Sequence, residues 1–323
     1  MNRRQVTSQP LRVYREGMKT ITASEPTVGA ARLWQRPHGT YLAIAFGYSW
    51  VLWIAAWIAA GQAGVGQPLL NEGFVWPVLF DGPLPGGLLL PSLVALAAVY
   101  GPMLGGMIAS RRDPSIPSGS LMRQVLKVNV GGREYGRVVL ILLIVSLPAL
   151  ILTVATVDGS GRALSQVAMF LLVFFAVQFL TSGTEEIGWR GYLTRVLLPG
   201  RDFWSVGWIV GPIWALWHLP VVLMIFLAQG MVIVQIVPSL VGFGIGIVAM
   251  AILQAWFYER TRSVFLAMFI HALFNTLPLT IILLWEGSPA AVVSNVLLWV
   301  VVIVVRRRSQ RPALVPPAVP SQD

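Results

Sequence analysis

Apolar residues come in long blocks along this chain. Eight runs rich in Leu, Val, Ile, Ala and Phe occupy approximately 41–60, 88–109, 138–157, 164–182, 206–228, 232–257, 264–285 and 289–305. A bilayer's hydrocarbon core needs about 20 helical residues to cross. Seven of the eight runs approach or exceed that length, and the last has 17 residues. Lipid offers no hydrogen bonds, so each run must bond its own backbone and is predicted to be a helix. As drawn, none contains Asp, Glu, Lys or Arg. The predicted fold class is therefore all-α: a polytopic membrane protein with about eight transmembrane helices over 41–305, between a basic tail at 1–40 and an Arg/Pro-rich tail at 306–323. His38 reads as a solvated residue of the first tail. The run Gly242, Gly244, Gly246 predicts a close helix approach on the sixth span.

Composition agrees. Only 11% of the 323 residues are charged, against about 25% in soluble domains. There is no cysteine, which excludes a disulfide scaffold, thiolate metal ligands and a cysteine nucleophile. The formal charge of +10 suggests nucleic acid until the basic residues are placed. With the N-terminus inside, 22 of the 23 Lys and Arg residues fall on one side, and Arg162 alone falls outside. Glu72, Asp81, Asp158 and Glu286 lie in the outer loops. The charge is thus a topology signal, predicting cytoplasmic N- and C-termini, a multi-pass protein of the cytoplasmic membrane and no nucleic-acid partner. Trp34, Trp76, Trp204, Trp285 and Trp299 fall near the proposed interfaces, where indoles are favoured.

Polar groups gather in three places. Thr184-Glu185-Glu186-Ile187-Gly188-Trp189-Arg190 follows the fourth run. Glu186 and Arg190 are one helical turn apart and can pair. Glu185 is turned roughly 140° from Arg190, which leaves it free to act. The fifth run holds Trp214-x-x-x-His218, and the seventh holds His271-x-x-x-Asn275, whose side chains stack on one face. Ionisable residues inside spans are functional candidates. Depth poses one difficulty, because His218 lies well inside the membrane while Glu185 is near its surface. Either the fourth helix starts deeper than drawn, or the fifth span begins with a non-membrane turn around Gly211-Pro212.

Glu185-Glu186-x-x-x-Arg190, an aromatic four residues before His218, and His271-x-x-x-Asn275, in that order, resemble the motifs of the CPBP family. These are the CAAX-protease and bacteriocin-processing intramembrane proteases, also called ABI, which include type II CAAX prenyl endopeptidases. Trp189 to Leu193 is similar to the usual extension of the first motif, and Tyr100-Gly101-Pro102 to a motif on an earlier helix. Two positions depart: Trp214 stands where the family usually has Phe, and Arg262 where it more often has Gly. The resemblance covers roughly 85–280. It implies an eight-helix membrane fold and proteolysis, with Glu185 the catalytic carboxylate, His218 its partner, His271 and Asn275 holding the oxyanion, and Glu186 and Arg190 in support. The implied partner is a protein or peptide substrate, membrane-associated or lipidated, at the lipid bilayer.

Residue chemistry supports the same roles. Glu185 and His218 can deprotonate a water and protonate a leaving amine, and His271 and Asn275 can both donate to an oxyanion. No cofactor follows from the sequence. Glu185, His218, His271 and Asn275 are also donor types that suit zinc. H-E-x-x-H is absent and Asn is an uncommon zinc ligand, so a metal-free mechanism is preferred while zinc stays open. Two other functions compete. A non-catalytic membrane partner or scaffold is disfavoured by the intact polar set. A transporter is disfavoured by spans without Asp, Glu, Lys or Arg and by the lack of a paired repeat.

Overall fold

The apolar runs fold as helices, several of which overrun their apolar limits at one end or both. The computed structural model of the chain describes residues 37–82, 84–158, 163–285 and 287–310, which contain helices and no strand. In order these are α1 (His38–Gln62), α2 (Asn71–Trp76), α3 (Gly86–Ala97), α4 (Gly101–Arg112), α5 (Ser120–Val125), α6 (Gly132–Thr156) and α7 (Leu164–Leu180). After α7 a 3₁₀ turn (Ser182–Glu185) leads through α8 (Glu186–Gly188) and a π turn (Trp189–Thr194) into α9 (Arg195–Leu197). Then follow α10 (Phe203–Trp217), α11 (Leu219–Ala228), α12 (Ile233–Thr261), α13 (Val264–Leu284) and α14 (Ala290–Ser309).

Among the described residues, seven helical stretches are long and apolar enough to cross a membrane, and α10 with α11 makes an eighth if taken as one span bent by 48°. Val51, Leu90, Leu172, Val234 and Val292 are exposed on different helices. In water such a surface would aggregate; in a bilayer it is the lipid-facing belt. The chain is an all-helical, multi-pass membrane protein. The basic tail at 1–36 with Trp34, the outer-loop residues Arg162 and Glu286, and the tail from 311 lie outside the described residues.

Three expectations change. The fourth helical stretch does not end near 182: from Leu164 it continues to Leu197, 34 residues in all, and Glu185, Glu186 and Arg190 lie within it. Hydropathy drops at Thr181–Glu186, and the helix breaks at Thr181, but helical turns resume at Ser182, with Glu186 paired to Arg190 and Glu185 bonded to two indoles. Second, His38 is the first residue of α1, and its Nδ1 lies 2.8 Å from the Tyr192 hydroxyl. Third, a Cβ on Gly242 would meet nothing and one on Gly244 only Ala215, so of that run only Gly246, against Asn295, is tight.

The closest crossings are elsewhere. Cβ atoms on Gly207 and Gly211 of α10 would come within 2.6 Å of Ile252 Cα and 2.8 Å of Val248 Cα on α12. Small residues one turn apart let the two backbones touch. On α8, a Cβ at Gly188 would lie 2.1 Å from the Pro102 carbonyl oxygen. That contact gives Tyr100-Gly101-Pro102 its role, since it sets α4 hard against the segment that carries the carboxylates.

Candidate active site

Glu185 is 2% exposed and Glu186 and Arg190 are fully buried. Charged groups can be held so deep only if they are paired and hydrogen-bonded. Helical phase separates the two carboxylates as expected. Arg190 Nη1 lies 3.0 Å from Glu186 Oε1 and 2.8 Å from Oε2. The same Oε1 accepts from Gln254 Nε2 of α12 at 3.2 Å and lies 2.8 Å from His271 Nδ1 of α13. Arg190 Nε and Nη2 find no hydrogen-bond partner among the described residues; the guanidinium lies over the Trp214 ring instead, 4.5 Å from its centroid.

Glu185 points away from this cluster. Its Oε2 accepts from Trp214 Nε1 at 3.0 Å and, more weakly, from Trp189 Nε1 at 3.4 Å. Its partners are thus two indoles, one from its own segment and one from α10.

His218 stands at the joint between α10 and α11, where the span bends. The α10 helix runs unbroken through Gly211-Pro212, so the turn expected there is absent, and the chain bends at His218 instead. His218 Nδ1 is 2.9 Å from the Trp214 carbonyl oxygen. A carbonyl only accepts, so Nδ1 carries the proton, and Nε2 of the neutral ring is a bare acceptor. On α13, His271 Nδ1 donates to the Glu186 carboxylate, so His271 can donate towards the cavity only if Nε2 is protonated too. One turn on, Asn275 Nδ2 donates to Gln178 Oε1 of α7 at 3.0 Å. An amide nitrogen has two protons, so one remains.

Glu185, His218, His271 and Asn275 all line one cavity of about 390 Å³, whose remaining wall is mostly apolar and includes Phe243, Met250 and Phe274. Among the described residues no hydrogen bond joins Glu185 directly to His218. Sequence reasoning missed Trp189, Gln178 and Gln254, and read Trp214 only as a ring.

Zinc needs three or four donors converging on one point. Among the described residues no three His, Asp or Glu side chains do so. Glu186 is closed around Arg190, Gln254 and His271, while the His218 Nδ1–carbonyl bond leaves Nε2 free to ligate, so the misfit rests on the missing third converging donor. The donors as placed do not fit the metal.

Residues 166–277 match the family model for type II CAAX prenyl endopeptidase Rce1-like proteins. This segment is CAAX-protease-like. It takes in Glu185, Glu186, Arg190, His218, His271 and Asn275, and is narrower than the resemblance read from the motifs. Over 107 residues the chain is also 30% identical to CAAX prenyl protease 2 of Methanococcus maripaludis. The matched stretch is 33% of this chain and 39% of that relative, so the chain spans about two fifths of the length of the curated relative it matches.

Proposed function

We propose that this protein is an intramembrane endopeptidase of the CAAX-protease type. One observation carries the reading: four polar side chains, from three different helical stretches, line one cavity inside an apolar bundle. A cavity water needs two to four polar partners, and Glu185 and His218 supply acceptors for it. In the reaction the water oxygen bonds to the scissile carbonyl carbon while Glu185 takes its proton. The carbonyl oxygen becomes an oxyanion, met by the second Asn275 N–H and by His271 Nε2 when protonated. The tetrahedral carbon then expels the amine as the C–N bond breaks, and Glu185 returns the proton to that nitrogen. His218 Nε2 is the second acceptor beside the water. Glu186 and Arg190 support the site by holding His271 and stacking on Trp214.

The substrate we infer is a protein or peptide that reaches the membrane. The apolar wall by Phe243, Met250 and Phe274 suits an apolar side chain or a lipid group next to the scissile bond. The distribution of the basic residues supports cytoplasmic termini, and with them a protein of the cytoplasmic membrane whose carboxylates sit in the inner half. A reporter fused after residue 310 reads that orientation, and an external signal would reverse it. The activity itself is tested by comparing membranes that carry wild type and Glu185→Gln for protein C-termini. C-termini present with wild type and missing with the variant are expected. Identical sets at equal protein abundance would overturn the reading.

A further inference from the structure

A second cavity, of about 630 Å³, lies between α6, α12 and α14 and shares no lining residue with the first. Each of the three helices presents the same gradient to it. On α6, Arg137 is followed at three, four and seven residues by Leu140, Ile141 and Ile144, which form one helical face. On α14, Arg308 is preceded at four and eight residues by Val304 and Val300, again on one face. On α12, Arg260 follows Trp256 by one turn, its guanidinium over the indole at 5.1 Å. The start of α6 therefore meets the ends of α12 and α14, and three arginines share one mouth above an apolar floor.

The mouth is under-neutralised. Glu134 is the carboxylate that pairs there, and Arg137 and Arg260 both bind its Oε1. Arg308 is exposed and makes no ion pair among the described residues. Three guanidinium groups thus face one carboxylate. The floor is open sideways: Leu140, Ile144, Val300 and Val304 are each more than two fifths exposed, so the cavity communicates with the hydrocarbon.

We infer that this cleft binds an anionic glycerophospholipid, its phosphate on Arg137, Arg260 and Arg308 and an acyl chain along the α6 and α14 faces. Guanidinium pairs with phosphate through two parallel N–H bonds, and the surplus of positive charge selects an anionic headgroup over a zwitterionic one. Basic pockets between spans at the cytoplasmic side suit such headgroups. A free anion would use the arginines and leave the apolar floor unfilled, so the floor specifies a lipid. The cleft is independent of the proteolytic reading.

The test uses full-length protein in neutral detergent, with bound lipid counted by native mass spectrometry during titration with phosphatidylglycerol or phosphatidylcholine. Wild type should retain one phosphatidylglycerol in preference to phosphatidylcholine. Arg308→Gln, on an exposed residue outside the core, should weaken that binding about fivefold, the scale of one arginine near an anionic lipid. Val304→Trp should weaken it comparably with no change of charge, by filling the floor. Arg112→Gln, an exposed arginine on α4, should leave it unchanged. Retention unaffected by both cleft variants, no preference for the anionic lipid, or an equal loss with Arg112→Gln would each overturn the inference. Inorganic phosphate that displaces phosphatidylglycerol, with Val304→Trp unaffected, would show an anion site and refute the lipid.

Discussion

Trp214→Phe isolates a single hydrogen bond at the centre of the site. The substitution installs the residue that the resembling family usually has there. It keeps a ring beneath Arg190 and beside His271, and it leaves the backbone carbonyl that fixes His218. It removes the indole N–H that donates to Glu185 Oε2 at 3.0 Å, leaving the carboxylate to Trp189 at 3.4 Å. A hydrogen bond to a charged group is worth about 1.5–3 kcal/mol. If that bond holds Glu185 in its reactive position, its loss lowers kcat by about ten- to a hundredfold at about 1.4 kcal/mol per decade. KM should hold, because the indole points at the base and not at the substrate. The assay is turnover of a peptide spanning a cleavage point found in the Glu185→Gln comparison, alongside the melting temperature of the purified variant. Trp214 is 1% exposed, so the smaller ring also loses packing and Tm should fall modestly. Wild-type kcat would refute the positioning argument. A kcat that falls only in proportion to the folded fraction would refute it equally.

Glu186→Gln and Arg190→Ala should lower the yield of folded protein, while Glu185→Gln should not. Breaking a buried pair by removing one partner costs about 3–5 kcal/mol, and quantitative blotting of membranes separates the cases. Asn275→Asp should abolish turnover, since a carboxylate repels a developing oxyanion, and wild-type activity should survive chelation. A chelator-sensitive enzyme that tolerates Asp at 275 would reverse this. Arg262→Gly should stabilise the protein, because Arg262 closes α12 at φ 51° and ψ 34°, a conformation costing about 1–2 kcal/mol for residues with a Cβ. The Arg262 guanidinium over Tyr258 at 5.6 Å offsets part of that gain, and a rise in Tm is the readout.

Periodicity alone was enough to turn Glu186 to Arg190 and Glu185 away from it, because three and four residues bring side chains to one helix face whatever surrounds them. The same rule put His271 and Asn275 together. Hydropathy failed at the end of the fourth span. It scores Glu186 and Arg190 as separate charges and cannot see them pair, nor see Glu185 bond to two indoles, so the predicted helix stops about 15 residues before Leu197. Gln178 and Gln254 were legible in principle. A lone amide in an apolar run needs a partner in lipid, and each has one in Asn275 and Glu186. The indole donors were hidden by residue class, since Trp in a membrane sequence reads as an interfacial anchor. The short helices α2 and α5, at six residues each, are too brief to leave a period. The Arg262 departure, by contrast, has a plain backbone cause: the position is left-handed, where Gly is preferred.

Glu186 Oε1 draws its partners from three separate stretches of chain: Arg190, Gln254 and His271. The last of these leaves the ribosome some 85 residues after the carboxylate. A chain arrested before α13 therefore holds the Glu186–Arg190 pair without its imidazole, and under the proposed function its Glu185 lacks the oxyanion donors His271 and Asn275. The same tie that seats the helices withholds the completed site until nearly the whole membrane domain has been inserted. Under the proposed function, the order of synthesis would by itself delay the complete site among newly inserted neighbours.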